Sequence, residues 1–287
     1  MVTVIKGILE SKTRVELICG TDLQPKPISW LWADWLAAGK FHILTGAPNT
    51  GKTAIAMNLT AIITSGGQWP DGTKCKPGNV LICSGKGDPK DTLPQLLVHG
   101  ADRNRVYFVS GVFNHNRPSA FDPSRDRGRL YEKVLQIGGV SLIIIDPVNI
   151  ISGDPRKDDK IRRDLQALVY LGSKLNAVVL GISHFSKATM RRKPLKRVME
   201  SIASSGPARV VLTTIKVLDK MGQPKHILVR AKSNNGPEGG GYYYQIEQAE
   251  LVNHASIFSS KVVWGERVEG TAQKLLAYST EIDENSI

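Results

Sequence analysis

Along this chain, short apolar runs alternate with longer stretches whose apolar positions recur every three to four residues. Residues 41–45 (FHILT) predict a strand, and 51–66 (GKTAIAMNLTAIITSG) a buried helix closed by its terminal glycine. Residues 79–84 (NVLICS) predict a second strand and 89–100 a short helix stopped by Gly100; 105–111 (RVYFVSG) predict a third strand. Residues 127–139 read as a helix with Leu130, Val134 and Ile137 on one face. The run 141–147 (SLIIIDP) is apolar on both faces and so belongs in the middle of a sheet. An amphipathic helix over 159–176 and a buried strand over 177–184 follow. The alternation implies an α/β fold, a mostly parallel sheet covered by helices on both faces. Further on, ARVVLTTIKVLDK, KHILVRAK and GYYYQIEQ read as strands in hairpin-like succession, with Gly222 and NNGPEGGG as turns. No internal repeat is visible.

Composition narrows the picture a little. At 287 residues, 41% hydrophobic and 22% charged, the chain suits a soluble globular protein with one large core. No apolar run reaches membrane-spanning length and no charged-then-apolar leader is present, so the expectation is a cytoplasmic protein without membrane contact. Cys19, Cys75 and Cys83 show no CxxC pairing and no metal-ligand spacing, and read as free thiols. The net charge of +12 is unevenly placed. Residues 186–232 hold twelve Lys and Arg against Glu200 and Asp219, a surplus of ten. Such a concentration fits either a polyanion-binding face or a solvated surface.

The candidate chemistry starts at residues 46–53, GAPNTGKT, which fit G-x-x-x-x-G-K-[ST] between a strand and a helix. Gly46 and Gly51 let the backbone wrap phosphates with its N–H groups at the positive end of the helix. Lys52 reaches the β- and γ-phosphates and the Thr53 hydroxyl ligates Mg²⁺, so the cofactors expected are ATP and Mg²⁺. The nucleotide-binding set is Gly46, Ala47, Pro48, Asn49, Thr50, Gly51, Lys52, Thr53 and Ala54. Asp146, about ninety residues beyond the loop and ending a buried strand, suits a second metal contact through water. His184 ends the next strand on the edge where open α/β sheets bind ligands; it is a candidate γ-phosphate sensor, or simply a strand cap.

These residues together resemble the RecA-like ATPases of the RepA type, hexameric-helicase-like proteins of plasmids, phages and integrated elements within the AAA ATPases. The resemblance runs from about residue 28 to 250 and rests on an ordered set: WLW with GKFHILTGAPNTGKT, WPDG (69–72), GNVLICSGKGDPKDTL, LIIIDPVN, GISHFSK and RAKSNNGP. It implies a RecA-like core over 28–250 behind an N-terminal segment or linker, 1–27, and ahead of a tail, 251–287. That tail stops where longer relatives continue into a helical module. The resemblance also implies a homo-oligomeric ring, a hexamer, with ATP between neighbouring copies. Single-stranded DNA would thread the ring, and partner proteins would supply other replication functions. Lys232 matches the family's basic residue thought to reach the neighbour's γ-phosphate, although a surface lysine at a strand end reads equally well. The segment 186–197 falls where RecA-like proteins place a DNA-contacting loop. Its Lys187, Arg191, Arg192, Lys193, Lys196 and Arg197, with no acid among them, suit phosphate-backbone contact. With only Phe185 as a ring nearby, binding would be non-specific and salt-dependent. A solvated loop is the plainer alternative.

One position breaks the pattern. In that family the strand after the phosphate-loop helix ends on an acid, in a stretch resembling SAEDDP, whose glutamate polarises the attacking water. Here SGKGDP puts Lys86 at that position. A protonated lysine cannot act as the base, and its charge competes with Lys52 and Mg²⁺. Two readings stay open beside slow hydrolysis: a shifted alignment in which Asp88 or Asp91 takes the role, or a Lys86 that points to solvent.

Overall fold

The protein is described by a computed structural model over residues 17–84, 88–114, 117–119, 121–147, 158–183, 207–218, 224–252 and 254–277. An aromatic hairpin comes first, β1 (Trp30–Trp32) and β2 (Leu36–Ala37). Its Trp32 stacks on Trp35 at 4.8 Å and on Trp69 at 5.2 Å, and its indole N–H donates to Asp71 at 2.9 Å. The residues quoted as WLW and WPDG thus form one cluster. Tyr242 closes it from the far end of the sheet, and Arg230 lies 5.0 Å from the Trp35 ring.

The core alternates as the apolar pattern predicts: β3 (Phe41–Gly46), α1 (Lys52–Ser65), β4 (Val80–Ser84), α2 (Pro89–Val98) and β5 (Val106–Phe108) come in turn. A small hairpin of β6 (Val112–Asn114) and β7 (Arg117–Ser119) intervenes. Then follow α3 (Pro123–Gln136), β8 (Leu142–Asp146), α4 (Asp158–Leu175) and β9 (Val178–Ile182). The chain next supplies β10 (Val210–Leu218), β11 (Pro224–Ser233), β12 (Gly241–Leu251), β13 (His254–Val268) and α5 (Ala272–Ala277).

Nine strands make one sheet in the order β13-β12-β11-β10-β3-β9-β8-β4-β5. The six from β10 to β5 run parallel, and β11, β12 and β13 add antiparallel along one edge. On one face α1 packs with Leu44, Ile82 and Ile144; on the other α3 and α4 bring Val134, Leu165 and Leu168 against Phe41, Ile43 and Ile143. The even burial of β3, β9 and most of β8 follows from this double cover.

Three sequence expectations are corrected. The third strand is only Val106–Phe108 rather than the whole of 105–111, since a separate hairpin opens at Val112. The third helix starts at Pro123, not 127, because Asp122 caps it and Asp126 reaches back to the Asp122 N–H at 3.0 Å. The third concerns the 250 boundary. Strand β13 pairs with β12 from Leu251↔His254 to Gly241↔Val268, so residues beyond 250 belong to the sheet rather than to a tail. Helix α5 then buries Leu275 and Leu276 against Ile227 and Val229.

Candidate nucleotide site

Strand β3 delivers the chain to Gly46 at the C-terminal edge of the parallel strands, and α1 begins six residues later. The turn between them needs left-handed backbone: φ is 151° at Gly46, 60° at Asn49 and 76° at Gly51. Gly46 also has no room for a side chain. A Cβ there would lie 2.0 Å from the Thr214 hydroxyl and 2.7 Å from its carbonyl.

The side chains converge as the motif requires. Lys52 is buried, and its ammonium donates to the carbonyls of Gly46 at 3.1 Å and Ala47 at 2.6 Å. The Thr53 hydroxyl donates to Asp146 Oδ2 at 2.7 Å. One threonine hydroxyl and one carboxylate oxygen thus meet next to the loop, a donor set suited to a hard cation such as Mg²⁺. Strand β4 ends beside Asp146, with Ser84 paired to it in register. The tip of that strand therefore reaches the same corner of the sheet.

Lys86 itself, His184 and the basic residues Lys187, Arg191, Arg192, Lys193, Lys196 and Arg197 lie outside the described residues. Asp88 is described: its carboxylate accepts the Lys90 N–H at 2.9 Å as the N-cap of α2, with Pro89 in the first turn. Lys232 is half-buried on β11, in register with Val211, which itself faces Ile43 on β3. Since Gly46 pairs with Thr214, Lys232 sits roughly 10 Å back from the loop along the strands. It does not meet the phosphate loop of its own chain.

Sequence reasoning missed the residues behind the loop. The Thr50 hydroxyl donates to the Ala47 carbonyl at 2.8 Å and lies 2.6 Å from the Thr214 hydroxyl. The Tyr244 hydroxyl donates to the Thr50 carbonyl at 2.6 Å. Burial raises the Tyr244 pKa, which keeps the phenol protonated and donating. The available signal was the paired threonine, Thr213-Thr214, in the middle of a strand whose other residues are apolar except Lys216. Burial likewise lifts the Cys75 thiol to about 11 and that of Cys83 to about 12, in keeping with unreactive thiols.

A glycine-built loop between a parallel strand and a buried helix, with Lys52 inside it and Asp146 on Thr53, defines a nucleotide-binding P-loop ATPase with a RecA-like core. The chain belongs to the AAA domain family, whose sequence profile matches residues 11–190. Its fold is similar to that of a KaiC-like protein from the hyperthermophilic archaeon Pyrococcus horikoshii, with a TM-score of 0.51 at 16% identity. The similarity spans 77% of this chain and 96% of that one. No curated protein sequence matched. Among the described residues no helix is long and apolar enough to cross a membrane.

Proposed function

We propose that the chain is a ring-forming ATPase that acts on single-stranded DNA, of the helicase type used in replicating mobile elements. The observation that carries the ATP part is the Thr53–Asp146 contact beside a loop that closes around Lys52. In this reading the loop N–H groups hold the β- and γ-phosphates, and the Lys52 ammonium moves from the Gly46 and Ala47 carbonyls onto phosphate oxygens. Thr53 and Asp146 would hold Mg²⁺, which when bound would supply positive charge to offset that on the transferring phosphoryl group. Lys232 would serve the nucleotide of a neighbouring copy, which suits its place away from its own loop. His184 would sense the γ-phosphate and pass its state to the basic segment 186–197, which contacts the DNA backbone.

A second reading has its own support. Lys86 stands where the resemblance calls for a catalytic acid, and the nearest substitute, Asp88, spends its carboxylate on capping α2. The chain would then bind ATP and hydrolyse it slowly, acting as a nucleotide-dependent loader or regulator on DNA. Loss of such a base lowers the rate by about 10²–10⁴-fold. Steady-state ATP turnover with and without single-stranded DNA separates the readings, with Lys52→Ala as the blank. Under slow hydrolysis, Lys86→Glu raises turnover. Brisk wild-type turnover that Lys86→Glu leaves unchanged or lowers would sink that second reading.

A further inference from the structure

A loop that turns its N–H groups toward phosphates must turn carbonyls away from them, and each buried carbonyl then needs a donor on the far side. Here the donor for Thr50 is the Tyr244 hydroxyl, 194 positions further along the chain. Tyr244 is fully buried on β12, with His226 and Trp264 against its ring at 5.3 and 5.8 Å, so its hydroxyl is held in place. Its neighbour Ile246 closes on Gly51 so tightly that a Cβ there would lie 2.3 Å from the isoleucine methyl. From β10, the Thr214 hydroxyl meets that of Thr50 and fills the space beside Gly46. The outer wall of the loop is therefore built by the parallel strand β10 and the antiparallel strand β12.

We propose that Tyr244, seconded by Thr214, is a positioning residue for the bound nucleotide. The reason lies in peptide geometry. The Thr50 carbonyl and the Gly51 N–H belong to one planar trans unit and point in opposite directions. Holding the carbonyl outward on Tyr244 aims the Gly51 N–H at the phosphate side. Without the phenol hydroxyl, a buried carbonyl is left unpaired and this peptide is free to rotate. The N–H then loses its aim, and ordering the loop falls to the ligand. The inference rests on reading the loop as an ATP site.

The test is titration of a fluorescent ATP analogue into the full chain by anisotropy, with folding checked by circular dichroism and urea unfolding. Tyr244→Phe keeps the ring and removes only the hydroxyl; it is expected to weaken binding about tenfold in a chain that remains folded. Thr214→Val, nearly the same shape, is expected to weaken it several-fold, by roughly the lower end of a hydrogen bond's worth. It also serves as the probe should Tyr244→Phe not fold. Because the two hydroxyls act on one loop residue, the double variant should lose less than the sum of the singles. A merely structural role would lower urea resistance and leave affinity within twofold, and that result overturns the proposal. If the wild type binds and Lys52→Ala does not, while both variants bind like wild type, only this inference fails. A wild type that does not bind the analogue removes the ATP-site reading and this inference with it.

Discussion

At the scale of single residues, the fold makes very uneven demands on its glycines. Gly46 has neither the backbone nor the space for a side chain, so Gly46→Ala should abolish nucleotide binding and lower unfolding stability by about 1–3 kcal/mol. Gly128 is the opposite case: it lies inside α3 with nothing within 4 Å of a Cβ. Gly128→Ala should stabilise by about 0.5–1 kcal/mol, and urea unfolding of the pair should show the two signs. His42 makes a different demand. It is fully buried, its Nε2 accepts the Ala37 N–H at 3.0 Å, and its Nδ1 lies 3.1 Å from the Lys40 carbonyl. Burial depresses its pKa from 6.5 to about 4. Between those values the unfolded chain binds the proton and the folded chain does not. Its contribution is thus complete above pH 6.5 and lost as pH falls toward 4, by up to about 3 kcal/mol. Urea midpoints across that range should fall steeply for the wild type and less steeply for His42→Gln.

At the scale of elements, the edge strand β13 explains both what the sequence showed and what it hid. The parallel strands were legible because they are short and largely apolar, and the phosphate loop because its spacing is dictated by chemistry. Strand β13 was not, since HASIFSSKVVWGERV mixes polar and apolar residues at both faces, as an edge strand does. Tyr244 and Thr214 were hidden for another reason: their roles depend on register between strands far apart in sequence. The outward side of β13 is met by side chains rather than by another strand. The His99 Nε2 accepts the Val262 N–H at 2.8 Å while its Nδ1 lies 2.6 Å from the Gln95 carbonyl, and Trp264 donates to Asn58 on α1 at 2.7 Å. His99→Ala should lower stability by about 1–3 kcal/mol and speed amide exchange at Val262 ahead of the strands β3 and β9. A chain ended at Glu250 loses β13 and α5 together, and soluble yield should collapse. Normal expression and a sharp unfolding transition for that truncation would restore the 250 boundary.

At the scale of the whole molecule, the charge surplus makes a quantitative demand on DNA binding. Six phosphate contacts from the 186–197 segment would give a log–log salt slope of about −4 on single strands. Replacing Arg191, Arg192 and Lys193 with glutamine should bring it to about −2, measured by anisotropy of a labelled oligonucleotide. An unchanged slope would place the contacts elsewhere. The tryptophan cluster, finally, ties together three distant parts of the chain, because the N-terminal hairpin, the 69–72 turn and β12 each contribute a ring. Indoles held nearly parallel at such separations couple their electronic transitions. The native protein should carry a split near-ultraviolet dichroic band and quenched emission. Both should vanish when the hairpin lifts away, which makes that corner an optical gauge of its own docking.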